Sequence, residues 1–179
     1  CENGGRVGLW RLPVDPAAPA AAPTLVVPGG AIGGFAQSRD GSVLVYDRTT
    51  ASYPPALFAC RADGSGERAI EKLNRALLAK HALGDVREVT IKGWGGAPVQ
   101  MWITYPPNFD PGKKWPLMHS IHGGPHSMYN GAFNFAWQEH ASSGYVVLYT
   151  NPRGSTGYGS AFGNAIKNAY PGKDYDDQM

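Results

Sequence analysis

The stretch PLMHSIHGGP, residues 116–125, decides the fold class of this 179-residue chain. Residues 116–121 form a short and mostly apolar run, which is typical of a strand buried on both faces of a sheet. Residues 122–125, HGGP, follow without a spacer. Glycine and proline directly after such a strand predict a tight loop at the carboxyl end of that strand, where open α/β sheets bind their ligands.

The elements predicted on either side place this run in a larger pattern. In chain order they are antiparallel strands over residues 86–92 and 99–105 joined around residues 93–96, a helix over 133–143, a strand over 145–150 and a helix from near Gly159 towards Lys167. Two antiparallel strands followed by strand, helix, strand and helix are the opening of an α/β-hydrolase sheet.

The loop of residues 122–125 has the chemistry of an oxyanion site. Acyl transfer needs backbone N–H donors aimed at the oxygen that becomes negative in the tetrahedral intermediate. Glycine lets that backbone approach a substrate without an intervening Cβ. Pro125 has no N–H, so Gly123 and Gly124 are the two candidate donors. The alternative is a tight turn with no chemistry, and the position after the third predicted strand favours the functional interpretation.

A second loop, NPRGSTGYG at residues 151–159, follows the next predicted strand. Its glycine spacing fits neither a dinucleotide fingerprint nor a P-loop. Ser155 is not the serine of a nucleophile elbow, because a Gly is required two residues earlier and that residue is Arg153. Arg153 either binds a substrate carboxylate or anchors the loop through structural hydrogen bonds, and anchoring is the commoner role.

Residues 1–70 have a different texture. Short alternating runs, at residues 6–12, 24–27, 42–47 and 56–60, are separated by turns at Asp40-Gly41 and Asp63-Gly64 and by an Ala/Pro-rich extended loop over residues 15–23. This pattern is typical of a β-propeller blade. About one and a half units are visible, and a small β-sandwich satisfies the same pattern. Residues 71–83 are rich in Ala, Leu, Lys and Arg and predict a short helix or linker.

Composition excludes several classes of protein. Hydrophobic residues at 42% and charged residues at 17% describe a globular chain, and a net charge of +2 does not favour nucleic acid. No apolar run approaches the ~18 residues that cross a bilayer, so no membrane partner is expected. Two cysteines are too few for a disulfide framework, and Cys60 is interpreted as a small buried thiol. Because residue 1 is not Met, we expect the sequence to begin within a longer protein. The compartment of that protein, cytoplasmic or periplasmic/secreted, stays open.

Two clusters invite a metal site. His119, His122 and His126 lie close in sequence, but residues 122–125 exclude the helix that the spacing of His122 and His126 would need. Acidic residues near the C-terminus, Asp174, Asp176 and Asp177, are explained by the dipole at the first turn of a helix. We therefore expect neither a metal nor a cofactor.

A set of short segments occurs in a specific order and spacing: VTIKGW (89–94), GAPV (96–99), YPP (105–107), KWPL (114–117), HGGPH (122–126), GYV (144–146), NPRGSTGYG (151–159) and the residues Asp174, Tyr175, Asp177 and Met179. Through these segments, residues 71–179 resemble the prolyl oligopeptidase family of serine peptidases, in its acylaminoacyl-peptidase and dipeptidyl-peptidase branch. The resemblance implies that residues 1–70 are the C-terminal part of a β-propeller, 71–85 a linker or helix, and 86–179 the N-terminal half of an α/β-hydrolase domain.

The resemblance also implies roles for single residues. Gly123 and Gly124 match the oxyanion loop, with Gly124 the preferred donor. Other branches place a Tyr hydroxyl where this chain has His122, so backbone donation is expected here, with His122 holding the loop. Candidate substrate-binding residues are His122, His126, Arg153 and Tyr158. The catalytic Ser, Asp and His have no counterpart in the chain, and the serine is expected in a Gly-x-Ser-x-Gly elbow about 35–55 residues beyond Met179.

Three functions follow as hypotheses. The first is a serine peptidase acting on short peptides in the intact protein, and the second is a carboxylesterase with the same oxyanion loop. A propeller-like N-terminal part favours the first, because simple esterases usually lack one. The third is a catalytically inactive piece or binding module, since a chain without nucleophile and base hydrolyses nothing. Oligomeric state, side-chain preference and exo or endo action stay open.

Overall fold

The computed structural model describes residues 1–14 and 21–179. The extended loop expected over residues 15–23 lies mostly outside these residues. The described chain forms two compact units, of which the first comprises Cys1–Ala76 with Asn130–Phe133 and the second comprises Leu77–Tyr129 with Asn134–Met179. It is mixed α/β, and none of its described helices is long and apolar enough to span a bilayer.

The first unit is built from antiparallel strands. Strands β1 (Leu9–Arg11) and β2 (Thr24–Val27) form a pair. The other four form one sheet in chain order: β3 (Ala31–Gln37), β4 (Val43–Thr50), β5 (Tyr53–Arg61) and β6 (Arg68–Ala69). The predicted turns lie between or after these strands, with Gly41 and Gly64 at φ 74° and 86°. Both glycines therefore occupy the left-handed region, where a Cβ is disfavoured.

The core of the first unit is one apolar cluster formed by Val27, Ile32, Leu44, Tyr46 and Cys60. Cys60 is 2% exposed and is a free thiol, so the interpretation of this residue as a small buried thiol is confirmed. Burial raises the pKa of that thiol, because a low-dielectric interior disfavours the thiolate.

Strand β3 was not expected from the sequence. It contains Gly33 and Gly34, and glycine is depleted in strands. The pairing with β4 shifts register between Ile32 and Phe35. At this irregularity the N–H groups of Gly33 and Gly34 donate to the Asp47 carboxylate at 3.2 and 2.7 Å. A carboxylate from the neighbouring strand thus replaces the ladder partners that the irregularity removes.

The second unit contains a four-stranded mixed sheet with the order β7-β8-β10-β9. Its strands are β7 (Val86–Lys92), β8 (Pro98–Thr104), β9 (Leu117–Ser120) and β10 (Val146–Asn151). The pairs β7–β8 and β8–β10 are antiparallel, and β9–β10 is parallel. These strands confirm the four predicted for residues 86–150, with ends that differ by at most one residue. The expected burial of the third is wrong, because β9 has one exposed and three half-buried residues at an end of the described sheet order.

Along the chain, two short helices accompany the strands of this sheet, one before β7 and one between β9 and β10. Helix α1 covers only Arg75–Leu78 of the segment expected as helix or linker, and α2 (Phe135–Ser142) crosses from β9 to β10. The Asn134 side chain caps α2 by accepting the Trp137 N–H at 3.1 Å. The Gln138 amide of α2 bonds the backbone of Gly84, with distances of 2.7 and 3.3 Å to its N and O.

The segment after β10 is less regular than expected. The helix predicted from near Gly159 to Lys167 is divided into α3 (Ser160–Gly163) and a 3-10 turn over Asn164–Ile166. A last short helix, α4 (Lys173–Asp176), has Asp174 and Asp176 in its first turn. Asp177 lies at the C-terminal cap instead, so the helix-dipole explanation offered for it is wrong. Its partners belong to the candidate site.

Candidate active site

The loop after β9 presents two unpartnered amides. Within residues 1–14 and 21–179, the N–H groups of Gly123 and Gly124 donate to no protein group. Gly124 has φ 134°, and a Cβ there would lie 3.0 Å from the backbone nitrogen of His126. Around Gly123 there is open space, with no heavy atom within 4 Å of the position of a Cβ. Both amides are free to bind an oxygen, and only Gly124 requires glycine for its own backbone.

His122 is bonded through both ring nitrogens. Its Nδ1 lies 3.1 Å from the Gly123 carbonyl oxygen, and its Nε2 lies 3.1 Å from Ser155 Oγ. The Ser155 hydroxyl in turn donates to the Pro152 carbonyl at 2.7 Å. Ser155 is fully buried. From the sequence, Ser155 was excluded as the serine of a nucleophile elbow and was given no other role. In the structure its hydroxyl contacts the His122 ring and holds it in place.

Further bonds join the two candidate loops, which follow β9 and β10. His126 Nδ1 lies 3.1 Å from the Gly154 carbonyl, and the Thr156 N–H donates to the Ser127 carbonyl at 2.9 Å. The parallel pairing of β9 with β10 brings both carboxyl ends to the same edge of the sheet. Each loop therefore supplies hydrogen-bond partners for the other, which restricts the motion of the glycine backbone.

Asn151, the last residue of β10, is a site residue to which the sequence assigned no role. Its Oδ1 accepts the Tyr129 N–H at 2.7 Å, and its Nδ2 donates to the Tyr129 carbonyl at 2.8 Å and to the Tyr158 hydroxyl at 2.6 Å. Its exposed fraction is 0%. The sequence does contain a signal that could have identified Asn151, namely a polar residue at the end of an apolar strand. A buried amide at such a position must find hydrogen-bond partners.

Aromatic rings support the loop from within. The Tyr129 ring meets those of His122, Trp137 and Tyr149 edge-on, with centroids 5.0, 5.2 and 5.4 Å away. Its hydroxyl lies 3.0 Å from Ser120 Oγ. Burial raises the pKa of Tyr129, since the phenolate is disfavoured there. Tyr129 therefore stays a neutral hydrogen-bonding group beneath the His122 ring.

Arg153 is held inside the unit. Its guanidinium donates to the Asp177 carboxylate and to the Trp94 carbonyl, both at 2.6 Å. The backbone N–H of Arg153 also donates to the Asp177 carboxylate, at 2.9 Å. The side chains of Arg153 and Asp177 are 11% and 0% exposed. Asp177 also accepts the Trp94 N–H at 2.9 Å. These contacts favour an anchoring role for Arg153; its binding of substrate stays a prediction.

Tyr158 is engaged in a similar way. Its hydroxyl accepts from Asn151 Nδ2 at 2.6 Å and also donates to the Gln100 side chain. The ring lies against Phe162, with centroids 5.1 Å apart. The predicted contact of Tyr158 with substrate is not tested by this geometry, in which the hydroxyl serves the β8–β10 region.

His119 has its own environment. Burial lowers its pKa, because the interior disfavours the imidazolium. Its Nε2 is buried and has no partner among the described residues. In that part of the chain, no group of three or more His, Cys, Asp or Glu residues is arranged to hold a metal ion.

One cavity in the first unit is separate from these loops. It measures about 300 Å³ and is lined only by residues of the first unit, among them Trp10, Phe35 and Leu44. It contains none of the site residues predicted from the sequence.

The chain was compared with family profiles, with curated proteins and with solved structures, and all three comparisons find peptidases. The profile of the Prolyl oligopeptidase family matches residues 131–179. The uncharacterized peptidase YuxL of Bacillus subtilis is 34% identical over 148 residues, which are 83% of this chain and 22% of that protein. Dipeptidyl-peptidase 5 of Aspergillus fumigatus is 32% identical over 180 residues, which are 98% of this chain and 24% of that protein.

Solved structures agree. The acylaminoacyl peptidase of Pyrococcus horikoshii superposes with a TM-score of 0.82 at 27% identity, over 98% of this chain and 26% of that one. An acylaminoacyl peptidase in complex with Z-Gly-Gly-Phe-chloromethyl ketone gives the same values. The chain thus spans about a quarter of the length of the relatives it matches. The resemblance of this chain to the prolyl oligopeptidase family, which is a family of serine peptidases, is confirmed.

Proposed function

We propose that this chain is part of a serine peptidase that hydrolyses short peptides, and that it supplies the oxyanion loop of the enzyme. The observation that carries this proposal is the pair of unpartnered N–H groups at Gly123 and Gly124. They lie in a loop that is bonded along its length to the loop after β10. Preorganised donors of this kind stabilise charge that develops on a carbonyl oxygen.

The proposed domain organisation follows the two kinds of sheet. Residues 1–70 form the C-terminal part of a β-propeller, 71–85 a linker, and 86–179 the N-terminal half of an α/β-hydrolase domain. The antiparallel sheet β3–β6 supports the first assignment, since a blade is a four-stranded antiparallel sheet. The order β7-β8-β10-β9, with only β9 and β10 parallel, supports the last.

The catalytic Ser, Asp and His are proposed to lie outside these 179 residues. The chain covers 22% to 26% of the relatives named above, which leaves room for them in an intact protein. In α/β-hydrolases the triad follows the oxyanion loop in the order Ser, acid, His. The chain alone is therefore expected to be inactive, because it supplies donors but neither nucleophile nor base.

The reaction proceeds in the intact protein as acyl transfer. The serine hydroxyl adds to the scissile carbonyl while its proton passes to the catalytic histidine. The carbonyl oxygen takes the negative charge and is bound by the Gly124 N–H, assisted by Gly123. Collapse of the tetrahedral intermediate breaks the C–N bond, and the histidine returns the proton to the leaving amine. Water then hydrolyses the acyl-enzyme by the same steps.

The names of the relatives support a substrate class for the intact protein. Proteins named dipeptidyl-peptidase 5 and acylaminoacyl peptidase match nearly the whole chain. We therefore place the activity among peptidases that act near the N-terminus of short peptides. A propeller in the intact protein would restrict substrates to such peptides and to small acyl compounds.

The test uses the intact protein, assayed in parallel with peptide naphthylamides and p-nitrophenyl esters. Turnover of the peptides, lost after treatment with an organophosphate or with Z-Gly-Gly-Phe-chloromethyl ketone, is the expected result. Ester turnover without peptide turnover would support a carboxylesterase instead and overturn the proposal. Organophosphate labelling of the isolated 179-residue chain would contradict the placement of the nucleophile outside it.

A further inference from the structure

We propose that His122 and Ser155 act as a positioning pair that turns the Gly123–Gly124 peptide so that the Gly124 N–H faces the substrate oxygen. The inference rests on the proposed function and deepens it. In this role the two side chains act on the orientation of the peptide and not directly on the reacting atoms. Their role is to select one orientation of a peptide whose two glycines would otherwise permit several.

The first step is the bond from the His122 ring to the peptide. The Gly123 carbonyl can only accept, so the 3.1 Å contact requires a proton on Nδ1 of His122. The cis peptide bonds among the described residues are Gly124–Pro125 and Tyr170–Pro171, which makes the Gly123–Gly124 peptide trans. In a trans peptide the C=O and the N–H point in opposite directions. A carbonyl held by His122 therefore directs the Gly124 N–H away from the ring.

The second step is the restraint on the ring. The Ser155 oxygen lies 3.1 Å from Nε2 of His122 and 2.7 Å from the Pro152 carbonyl oxygen. When the ring is neutral with its proton on Nδ1, Nε2 accepts and the Ser155 hydroxyl donates to it. When both ring nitrogens carry a proton, Nε2–H donates to the Ser155 oxygen and the hydroxyl donates to Pro152. Nδ1 keeps its proton in both cases, and so does the bond to Gly123. The edge-on contact with Tyr129, at 5.0 Å between ring centroids, limits rotation of the ring further.

The third step is electronic. A donor on the Gly123 carbonyl polarises the whole peptide unit and strengthens the N–H on its other side, as in any chain of hydrogen bonds. Ser155 is fully buried and lies 33 residues from His122. The pair thus connects the loop after β10 to the orientation of a donor in the loop after β9.

The experiment separates the two ring nitrogens in the intact protein. In His122→Asn the side-chain NH₂ takes the place of Nδ1 and keeps the bond to Gly123, whereas in His122→Gln it takes the place of Nε2 and keeps only the contact with Ser155. Losing one oxyanion donor costs about 10²–10³-fold in kcat. We expect His122→Gln to lose about 10–100-fold in kcat with little change in KM, His122→Asn to recover most of that loss, and Ser155→Ala to fall between them.

A second readout excludes a merely structural effect. A peptide boronic acid places an oxygen in the oxyanion site, so its inhibition constant should rise in parallel with the loss of kcat across the three variants. His81→Asn, an exposed histidine in the linker region, is the matched control, and thermal midpoints identify any variant that folds poorly. Equal losses in His122→Asn and His122→Gln would overturn this inference alone. A wild-type protein that turns over neither peptides nor esters would overturn the proposed function together with it.

Discussion

The side-chain amide of Asn151 brackets the backbone of Tyr129. Its Oδ1 accepts the Tyr129 N–H at 2.7 Å, while its Nδ2 donates to the Tyr129 carbonyl at 2.8 Å. One side chain thus satisfies both polar groups of a residue in the loop after β9, from a position at the end of β10. This pairing connects the two loops that make up the candidate active site.

Replacing Asn151 with Ala should release the loop. Both backbone groups of Tyr129 would lose their partner, and each buried unsatisfied group costs about 1–3 kcal/mol. We expect a drop of that order in the free energy of urea unfolding of the intact protein, with a parallel fall in kcat. Asn108→Ala, at an exposed asparagine, is the control and should change neither. An Asn151→Ala protein as stable as the wild type would refute the role of this pair.

Alanine at Gly124 and at Gly123 should act differently. Gly124 has φ 134°, and an added Cβ would meet the His126 nitrogen at 3.0 Å, whereas a Cβ on Gly123 has open space. Gly124→Ala should lower both stability and kcat, with a strain of about 1–3 kcal/mol. Gly123→Ala should fold with an unchanged thermal midpoint and lose activity only by obstructing the substrate. Equal thermal midpoints for the two variants would contradict the observed loop conformation.

Replacing Arg153 with Ala distinguishes a role in anchoring the loop after β10 from a role in binding substrate. Removing one partner of a buried pair leaves an uncompensated charge at a cost of about 3–5 kcal/mol, so Arg153→Ala should destabilise the intact protein by that order, through Asp177. The control Arg87→Ala breaks an ion pair with Asp85 whose side chains are 66% and 63% exposed, and it should have little effect.

The same variant also has a kinetic readout. If Arg153 is an anchor, KM should change equally for peptides with a free C-terminal carboxylate and for their amides. A selective rise in KM for the free carboxylates would instead assign the guanidinium to the substrate.

Glu67 should make the stability of the first unit pH-dependent. Burial raises its pKa, but hydrogen bonds from Tyr46 and Arg48 outweigh this and hold the pKa below its ordinary value of 4.5. The folded state therefore favours the carboxylate. Its stabilising contribution is fully present above pH 4.5 and is lost as the pH falls through the lowered folded-state pKa.

The measurement is urea unfolding of the intact protein between pH 6 and pH 3, for wild type and Glu67→Gln. Asp40 and Asp63, whose pKa values are also lowered by hydrogen bonds to nearby serines, titrate in both proteins. The difference between the two curves therefore reports Glu67 alone. A Glu67→Gln protein with the same pH dependence as the wild type would exclude the proposed contribution.

The isolated 179-residue chain should aggregate or remain molten. Strand β9 lies at an end of the described sheet order, and its first residue, Leu117, and the residue that follows it, Ile121, are 61% and 55% exposed. An open strand edge with apolar neighbours is a template for intermolecular pairing. Light scattering and near-UV circular dichroism test this, and Leu117→Lys should raise the soluble fraction. A sharp cooperative thermal transition of the monomeric chain would prove the prediction wrong.

Much of the second unit was predictable because its signals are local. Alternation over residues 86–92 and 99–105, apolar runs around 118 and 147 and the glycines between them identified four strands, which the structure contains. In the first unit β3 was missed, because Gly33 and Gly34 erase the strand pattern and their partner, Asp47, is far along the chain. The helix predicted from near Gly159 to Lys167 is longer than α3, because no local signal in the sequence indicates that the helix ends before Asn164.

By itself the sequence determined the four strands of the second unit, the glycine loop after β9 and the resemblance to the family, because turn chemistry and hydrophobic period depend on neighbouring residues. The tertiary structure alone decided the partners: Asn151 for Tyr129, Ser155 for His122 and Asp177 for Arg153, which lie 22, 33 and 24 residues apart. The first two pairs form when parallel pairing brings the ends of β9 and β10 to one edge of the sheet. The third forms when the residue after α4 reaches the loop after β10. A side chain's donors and acceptors carry no record of which distant residue will meet them.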